Sequence, residues 1–423
     1  MANPRLQSAK ILQKVLEEKV FFGDLKKNIP EKDLPFCNML ILTVLRRFTA
    51  LKHILDGYLS KKIPHKHCLA EYLLLGAIAE ILYMQTAEYA VINETIKNIR
   101  TACDKFLGGL ANAILRKVCA QKQELLQTAE KISPFPKSFL SILEGYSADE
   151  IQQIAAVVSA IPALDISVKN NPPQWAEKFK AQVLPNGSLR LYNQPKIQLL
   201  PQYNDGEWWV QDVAASLPVA VMGDILGKEV IDLCAAPGGK TAQLAARGAK
   251  VTALDISATR LETLKQNMHR LGFDGVKTLA ADALEYLRNP PQKFDVVLLD
   301  APCSATGTFR RHPEVLHIKS RQDVKEQADL QRLLLESCGN ALKIGGILVY
   351  CVCSISKEEG ETQIADFLRK CPQFKIVPIE ESLISAYGQW KNRLITPEGT
   401  IRTLPYYHDG MDSFFICKMQ RII

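Results

Sequence analysis

Two cysteines that directly follow hydrophobic runs are the residues of this chain best suited to chemistry. Cys303 follows the run at residues 296–299, and Cys353 follows the run at residues 347–350. Both runs are typical of buried strands in an open α/β sheet, where ligands bind beyond the carboxyl ends of the strands. A thiolate is a strong nucleophile at neutral pH once its pKa is lowered. Two thiols in one crevice therefore predict covalent catalysis, with a second group that helps to resolve the adduct.

Two other interpretations of these cysteines are open. A free cysteine is usually a small buried hydrophobe, and a single one would favour that interpretation. Two cysteines that both follow strand ends favour chemistry instead. Cys351 and Cys353 could also form half of a metal site, but the sequence has no second Cys/His pair at zinc-ligand spacing. We therefore expect no metal.

A ligand-binding segment of small residues follows the first predicted strand of the same region. It consists of Cys234, Ala235, Ala236, Pro237, Gly238, Gly239 and Lys240. Small side chains let the backbone approach a ligand and let the next helix begin in contact with it. A P-loop needs glycine at the position of Cys234, and the spaced glycines of a dinucleotide fingerprint are also absent. The segment therefore predicts neither a nucleoside triphosphate nor a dinucleotide.

Four aspartates end successive predicted strands, namely Asp232, Asp255, Asp282 and Asp300. Asp255 can accept hydrogen bonds from both ribose hydroxyls of a nucleoside, and Asp282 would meet an adenine amine. Any single aspartate of this kind is more often a helix cap, but the regular placement of all four favours a nucleoside cofactor. S-adenosylmethionine, whose sulfonium is positive, fits such an acidic edge.

Length and charge indicate several domains with different tasks. The chain has 423 residues and a net charge of +7, and this length predicts two or three domains. Residues 1–200 contain 26 Lys/Arg and 18 Asp/Glu, whereas residues 201–423 contain 26 and 27. The uneven charge predicts that the first half binds a polyanion while the second half carries out catalysis. A solvated basic surface without a partner is the alternative.

Cysteine usage and hydropathy indicate the cellular compartment of the protein. The eleven cysteines are an odd number without framework spacing, and no run of about 18 apolar residues occurs. These features predict a cytoplasmic protein with free thiols and no membrane span.

The hydrophobic periodicity divides the chain into three parts. Residues 1–128 read as an all-helical domain, and residues 135–205 mix helices with short strands in a small linking α+β domain. From residue 206 to residue 423, strands alternate with helices, which predicts a mainly parallel, doubly wound sheet.

Five strings in the C-terminal half resemble the Sun-type RNA (cytosine-C5) methyltransferases of the bacterial rRNA methyltransferase B group. They are residues 232–241, residues 300–307, residues 310–313, Cys353-Ser354 with Glu358-Glu359, and residues 402–405 with residues 410–415. Residues 44–47, 91–94 and 111–116 resemble the NusB-like helical domain of that group. The resemblance covers nearly the whole chain. It implies an N-terminal all-α NusB-like domain and a C-terminal α/β Rossmann-like methyltransferase domain.

The resemblance also implies roles for single residues. Residues 234–240, Asp255, Asp282 and Asp300 would line the S-adenosylmethionine site. Cys353 would be the nucleophile that forms a covalent adduct with cytosine C6, and Cys303 would assist product release. The methyl group would go to C5 of a cytosine in small-subunit (16S) rRNA.

The sequence departs from the family pattern beside the second cysteine. Val352 stands where the family usually has threonine, and its side chain should alternate away from Cys353 in a strand. Cys351 should share a strand face with Cys353 and is expected to be inert core.

We expect two features near Cys353 to favour its thiolate. Residues 356–359 read as a capping box, which would place Cys353 near a helix N-terminus. Arg310 and Arg311 would add positive charge and bind RNA. The target base must leave its stack to reach such a pocket, so an unpaired loop of rRNA is the expected substrate.

Three alternative functions are open. A tRNA cytosine-C5 methyltransferase would use the same chemistry on another RNA. In a DNA cytosine-C5 methyltransferase, the cysteine of the Pro-Cys segment would attack, but the second thiol and the helical N-terminal part argue against it. A non-catalytic RNA-binding or antitermination factor would not need Cys303, Cys353 and the acidic edge. We therefore expect 16S rRNA as the partner, with no DNA, no membrane and no obligate protein partner.

Overall fold

A computed structural model of the chain describes residues 3–192 and 197–423. The chain divides into two compact units. The first comprises Met1–Ser141, Ala148–Ala160 and Arg311–Ser320, and the second comprises Ile142–Ser147, Ile161–Arg310 and Arg321–Ile423.

The first unit is built from helices around one apolar core. Its helices are α1 (Pro4–Glu17), α2 (Phe22–Leu25), α3 (Leu34–Arg46), α4 (Phe48–Tyr58), α5 (Cys68–Tyr83), α6 (Glu88–Ala102), α7 (Leu107–Ala120), α8 (Lys122–Glu130), α9 (Lys137–Leu140) and α10 (Ala148–Ala156). Helix α5 is apolar and buried nearly all round, so it forms the centre against which α1, α3, α6 and α7 pack. The predicted all-α N-terminal domain is confirmed.

Within the part of the chain that the structure describes, no single helix is long and apolar enough to cross a membrane. Helices α3 and α4 reach the required length and composition only as a pair, and they meet at 79°.

The segment Arg311–Ser320 comes from the second half of the sequence but belongs to the helical unit. His317 Nε2 donates to the Leu45 carbonyl at 2.7 Å, and its ring lies 5.0 Å from the Phe48 ring in an edge-on contact. Ile318 is part of the helical core. Burial lowers the pKa of His317 to about 4, so the ring is neutral at physiological pH.

The second unit contains a small antiparallel sheet. Its strands are β1 (Leu164–Val168), β2 (Gln182–Val183), β3 (Leu189–Leu191) and β4 (Trp208–Val210), in the order β2-β3-β1-β4. Helix α11 (Pro172–Phe179) packs Trp175 and Phe179 against Trp208 in its core. Asp165 on β1 and Arg190 on β3 form a buried ion pair at 2.8 Å.

The larger sheet has eight strands. They are β5 (Glu229–Leu233), β6 (Lys250–Asp255), β7 (Lys277–Ala280), β8 (Phe294–Asp300), β9 (Leu342–Val352), β10 (Phe374–Ile376), β11 (Ile401–Arg402) and β12 (Phe415–Arg421). The order is β10-β12-β9-β8-β5-β6-β7, with β11 also paired to β12. Strands β5 to β9 pair in parallel, whereas β12 and β10 run antiparallel. The connections change side between β5 and β8, so a ligand crevice is expected at their carboxyl ends.

Helices cover both faces of this sheet. The other helices of this unit are α12 (Val213–Ala220), α13 (Gly239–Ala246), α14 (Ala258–Arg270), α15 (Ala283–Arg288), α17 (Arg321–Cys338), α18 (Gln363–Lys370) and α19 (Lys391–Leu394), whereas α16 (Val315–Ile318) lies in the segment that belongs to the helical unit. Alternate residues of β8 enter two separate cores, Val297 and Leu299 on one face and Val296 and Leu298 on the other. The Rossmann-like α/β fold predicted for this half is confirmed.

Some boundaries differ from the sequence-based expectation. Strand β9 begins at Leu342 rather than at residue 347, because Gly345 and Gly346 interrupt the hydrophobic run that marks the strand. The three predicted domain ranges stay a prediction. Three strands of the small sheet lie within residues 135–205, whereas β4 (Trp208–Val210) lies beyond that range, and the whole sheet belongs to the same compact unit as the large one. Residues 193–196 of the predicted range lie outside the described residues.

Candidate active site

The two thiols meet beyond the ends of adjacent parallel strands. Cys303 follows β8 and Cys353 follows β9, and their Sγ atoms lie 3.4 Å apart. The Gly307 N–H donates to the Cys353 carbonyl at 3.0 Å, which ties the two loops together. A side chain at Gly307 would collide with the backbone of Ser413. The expectation that two strands bring both thiols to one crevice is confirmed.

The two thiols are not equivalent electrostatically. The pKa of Cys303 lies well above its ordinary value, because its thiol hydrogen-bonds to the Cys353 sulfur and because it is buried. The charge of nearby Glu359 acts in the same direction. Cys303 therefore keeps its proton at neutral pH and can donate it in the hydrogen bond to Cys353.

A fully buried glutamate, Glu359, holds both cysteine loops. Its Oε1 accepts the Ser304 N–H at 2.8 Å, and its Oε2 accepts the hydroxyls of Ser304 and Ser354. Ser304 adjoins Cys303 and Ser354 adjoins Cys353 in the sequence. One carboxyl group therefore fixes the positions of both cysteine loops.

Further buried polar groups complete this network. Gln331 Nε2 donates to Glu359 Oε1 and to the Pro302 carbonyl, both at 2.9 Å. The Tyr350 hydroxyl donates to Gln331 Oε1 at 3.0 Å. In a low-dielectric interior such a satisfied network rigidifies its surroundings.

A buried arginine fixes the loop of Cys353 from another direction. Arg402 Nη1 donates to the Ser354 carbonyl at 2.7 Å, and its Nε donates to Glu361 at 3.0 Å. Residues 402–405 belong to a string that carries the family resemblance, but the pattern does not indicate a contact with Ser354, 48 residues earlier in the chain.

The predicted capping box at residues 356–359 is wrong. Ser356 Oγ accepts the Glu358 N–H at 3.2 Å, but Glu359 does not reach back to Ser356. Its carboxyl group goes to Ser304 and Ser354 instead, because buried hydroxyl and amide donors there need an acceptor. A π-helical turn, Glu358–Thr362, then leads into α18.

The neighbours of Cys353 alternate as expected. Val352 packs in the core on one face of the sheet, whereas Cys351 and Cys353 belong to the core on the other face. Cys351 is buried, as predicted, but it is also in contact with the site. Its Sγ donates to Asp300 Oδ1 at 3.3 Å, and burial together with Asp300 raises the pKa of this thiol well above its ordinary value.

Lys240 and Asp300 form an ion pair beside the thiols. Lys240 Nζ lies 2.8 Å from Asp300 Oδ2 and 5.2 Å from the centre of the Phe414 ring. Burial lowers the pKa of Lys240, but Asp300 raises it, and the net shift is upward. The ammonium is therefore charged. The Asp300 side chain stays 28 % exposed, so the pair is open to a ligand.

The small-residue segment forms a tight turn into α13. Cys234 has a φ of 62° and Gly238 has a φ of 103°, both in the left-handed region. Burial raises the pKa of Cys234 to about 12, so this thiol stays protonated at neutral pH. A side chain at Gly238 would meet Leu264 at 2.9 Å, whereas nothing lies within 4 Å of the corresponding point at Gly239. The start of α13 therefore borders open space.

Two of the strand-end aspartates bind backbone amides. Asp255 is buried, and its two oxygens accept the N–H groups of Ala236 at 3.0 Å and Ser257 at 2.9 Å. Each carboxylate oxygen can accept a second hydrogen bond. Asp282 caps α15 through Oδ1, which accepts the N–H groups of Leu284 and Glu285. Their contacts with a cofactor stay a prediction.

Asp232 is buried and bonds to the first turn of α13. It is fully buried, and its Oδ2 accepts the Thr241 hydroxyl at 2.6 Å. Burial raises its pKa to about 7. Asp232 therefore anchors α13 rather than facing the crevice.

The two arginines predicted to bind RNA differ in environment. Arg310 is only 6 % exposed, lies 3.9 Å from Asp212 and packs against Gly410. Arg311 is exposed and begins the segment that belongs to the helical unit. Their role in RNA binding stays a prediction.

Residues 3–192 and 197–423 contain no group of three or more His, Cys, Asp or Glu that could hold a metal ion. All eleven cysteines are free thiols.

Family models match both halves of the chain. The model described as "16S rRNA methyltransferase RsmB/F" matches residues 224–420, and the NusB family model matches residues 2–120. Ribosomal RNA small subunit methyltransferase B of Yersinia pestis bv. Antiqua (strain Angola) is 30% identical over 436 residues, covering 99% of this chain and 98% of the relative. The protein of the same name from Yersinia pseudotuberculosis serotype O:1b (strain IP 31758) matches to the same extent.

Two solved structures share the fold. The crystal structure of PH0851 aligns with a TM-score of 0.78 and 24% identity over 99% of both chains. A methyltransferase homolog protein from Pyrococcus horikoshii aligns with a TM-score of 0.54 and 24% identity, covering 68% of this chain and 99% of that one.

Proposed function

As a member of the RsmB/F family of 16S rRNA methyltransferases, the chain transfers methyl groups from S-adenosylmethionine to rRNA, and we propose that its target atom is C5 of a cytosine. The observation that carries this proposal is the 3.4 Å separation of the Cys303 and Cys353 sulfurs beyond two adjacent strands. One thiol can attack the base while the other acts on the adduct.

The residues at the ends of β5 and β6 fit S-adenosylmethionine. The open space beside Gly239 allows a ligand to approach the start of α13, and the acidic edge suits a positive sulfonium. We propose that residues 234–240, Asp255, Asp282 and Asp300 hold the cofactor. When bound there, it supplies the methyl group as an electrophile.

Cys353 is the proposed nucleophile. The raised pKa of Cys303 keeps that thiol protonated, so its S–H can donate to a Cys353 thiolate at 3.4 Å. The charge of Cys353 contributes to the raised pKa of Lys240. The positive charge of Lys240 would in turn stabilise a Cys353 thiolate. The thiolate adds to cytosine C6, and the electron pair of the C5–C6 double bond becomes available at C5. This replaces one difficult step with easier ones.

Cys303 is proposed to act after methylation. Its pKa is raised chiefly by the hydrogen bond to Cys353, and that interaction weakens once the Cys353 sulfur is bonded to C6. Cys303 can then lose its proton to solvent and accept the proton from C5. The C6–S bond breaks, its electron pair returns to Cys353, and the aromatic ring is restored.

Asp300 has a second proposed role at the base. It would share a proton with cytosine N3 and so stabilise the addition. The contacts from Lys240 at 2.8 Å and from Cys351 at 3.3 Å hold its two oxygens in place, and preorganised groups of this kind need no rearrangement during the reaction.

The proposed substrate is an unpaired loop of 16S rRNA, since a stacked base cannot reach the thiols. The basic N-terminal half and the arginines Arg310 and Arg311 are proposed to bind this RNA. A tRNA substrate is the remaining alternative, because the same chemistry would act on it.

Transfer of a labelled methyl group tests the proposal. The protein is incubated with methyl-labelled S-adenosylmethionine and separate pools of rRNA, tRNA and DNA, and the products are digested to nucleosides. We expect the label in 5-methylcytidine from the small-subunit rRNA. Label confined to tRNA, or a product methylated at another atom, would contradict the proposal.

A further inference from the structure

The segment that carries Cys353 has no regular secondary structure of its own. It runs from Cys353 to Lys357, between the end of β9 at Val352 and the π-helical turn Glu358–Thr362. We call this segment the Cys353 loop. The backbone groups of an irregular segment need partners elsewhere in the protein, so those partners decide where the Cys353 thiol points.

Three successive carbonyls of the Cys353 loop accept hydrogen bonds from three separate parts of the chain. Gly307 and Arg402 donate to the first two, as described above. The third, the Ile355 carbonyl, accepts the Tyr146 hydroxyl at 2.8 Å, although 209 positions separate the two residues. A tyrosine far away in the sequence therefore completes the set of bonds that holds this loop.

Ile355 is held on both sides of its backbone. Its N–H donates to Thr306 Oγ1 at 3.3 Å, in the loop that follows Cys303, and its side chain is fully buried. The Tyr146 hydroxyl holds the carbonyl of the same residue. Ile355 lies two residues after Cys353, so a rotation of the backbone at Ile355 would shift the Cys353 thiol relative to Cys303.

Tyr146 lies in the short segment Ile142–Ser147. This segment belongs to the same compact unit as the Cys353 loop, whereas the residues before and after it in the sequence belong to the helical unit. Ile142 and Leu143 are buried, so the segment is anchored in its own unit.

A second contact joins this segment to the Cys353 loop. Lys357 Nζ donates to the Gly145 carbonyl at 2.6 Å and lies 4.8 Å from the centre of the Tyr146 ring. Gly145 has a φ of 90°, in the left-handed region, and a side chain there would approach Lys357 Cδ to 3.2 Å. Glycine therefore allows both the bend of the segment and the approach of the lysine.

The remaining contact of the segment is exposed. Arg321 forms ion pairs with Glu144 and Glu358 at the surface. Ion pairs of exposed side chains contribute little to the stability of a conformation. The hydrogen bond from Tyr146, which is partly buried, is therefore the contact that fixes the loop.

We propose that Tyr146 is a positioning residue for methyl transfer, because its hydroxyl holds the Ile355 carbonyl and so keeps the Cys353 thiol in the orientation in which it meets the base. Tyr146 acts through the Cys353 loop and takes no part in bond making. The inference rests on the proposed function in taking Cys353 as the nucleophile. It predicts a slower reaction with unchanged binding of both substrates.

Tyr146→Phe in the full-length protein tests the proposal, since it removes the hydroxyl and keeps the ring that Lys357 contacts. Methyl transfer from labelled S-adenosylmethionine to in vitro transcribed 16S rRNA is measured in a single turnover with both substrates saturating. We expect a rate about tenfold lower, which is less than the effect of about 100-fold for a catalytic group displaced by about 1 Å. The affinities for RNA and for S-adenosylmethionine should stay within about twofold of the wild-type values.

Tyr192→Phe is the matched control. The Tyr192 hydroxyl donates to the Gln182 side chain at 2.7 Å, beside the small sheet of the same unit. The chemical change is thus the same, but it occurs away from the Cys353 loop, and we expect the wild-type rate. A wild-type rate in Tyr146→Phe, equal losses in both variants, or a loss that weaker substrate binding explains would each overturn the proposal.

Two substitutions of Lys357 test the same contact from the other side. Lys357→Met loses the bond to the Gly145 carbonyl and should slow the single-turnover rate about threefold. Lys357→Arg keeps a donor and should restore most of the rate. If thermal unfolding shows that Tyr146→Phe is not folded, this pair decides, and equal rates in the two Lys357 variants would overturn the proposal.

The rate of adduct formation separates this inference from the proposed function. In the Cys303→Ala background, Tyr146→Phe should slow the accumulation of the protein–RNA complex on a denaturing gel by about tenfold. An unchanged rate of accumulation would overturn the positioning role of Tyr146. If Cys303→Ala alone forms no complex, the proposed role of Cys353 fails, while the single-turnover rates still decide whether Tyr146 positions the loop.

Discussion

The Glu359 carboxyl group accepts a hydrogen bond from the Ser304 hydroxyl at 2.5 Å, although 55 positions separate the two residues in the chain. Through this bond and the one from Ser354, the loops that present Cys303 and Cys353 share a single buried anchor. The relative position of the two thiols therefore depends on a residue that is itself fully buried.

Glu359→Ala should lower the turnover number by about 100-fold, because a shift of about 1 Å in a catalytic group has an effect of this size. It should also destabilise the protein by about 3–5 kcal/mol, since it leaves several buried donors unpaired. Steady-state kinetics and urea unfolding measure the two effects.

Glu359→Gln is the conservative control for this position. Its carbonyl oxygen can still accept the Ser304 and Gln331 N–H groups, and its amide can donate to the two serine hydroxyls, which then rotate. We expect most of the turnover to return. If Glu359→Ala kept the wild-type turnover number, Glu359 would have no positioning role.

Asp255→Ala should weaken S-adenosylmethionine binding by about 1–3 kcal/mol, because ribose hydroxyls would lose their acceptor. Titration calorimetry measures this loss. Asp274→Ala is the control, since Asp274 is 70 % exposed and pairs with the exposed His269. Wild-type affinity in Asp255→Ala would remove this residue from the cofactor site.

The stability of the protein should depend on pH through His317. Burial lowers its pKa from 6.5 to about 4, so below pH 6.5 the unfolded chain takes up a proton that the folded chain does not. The free energy of unfolding should therefore fall by about 2 kcal/mol from this residue between pH 8 and pH 5. The loss continues as the pH falls toward 4.

His317→Gln isolates this contribution. Glutamine can still donate to the Leu45 carbonyl but does not titrate. Urea unfolding at pH 8 and pH 5 should show a pH dependence that is smaller by about 2 kcal/mol in the variant. An equal pH dependence in both proteins would mean that His317 is not buried in neutral form.

The positions of the two thiols could be predicted from the strand ends, but the network around them could not. Cys303 and Cys353 each follow a hydrophobic run, and the sheet topology then brings such positions together. Glu359 carried a local pattern that indicated a helix cap, and tertiary contacts with Ser304 and Ser354 overrode it. Gln331 sits within a helix whose sequence has no feature that marks a bond to a catalytic loop.

The domain to which the segment Arg311–Ser320 belongs could not be predicted from the sequence either. Its position in the sequence placed it in the catalytic half, yet Ile318 and His317 pack in the helical core. Periodicity reports which face of a helix is buried, but not which core it enters.

Trapping of a protein–RNA adduct tests the central claim, the division of roles between the two thiols. Cys303→Ala and Cys353→Ala are incubated side by side with S-adenosylmethionine and 16S rRNA and run on a denaturing gel. We predict a stable complex with Cys303→Ala, which can attack and methylate but releases product poorly, and no complex with Cys353→Ala. A complex formed by Cys353→Ala and not by Cys303→Ala, or by neither variant, would contradict the account.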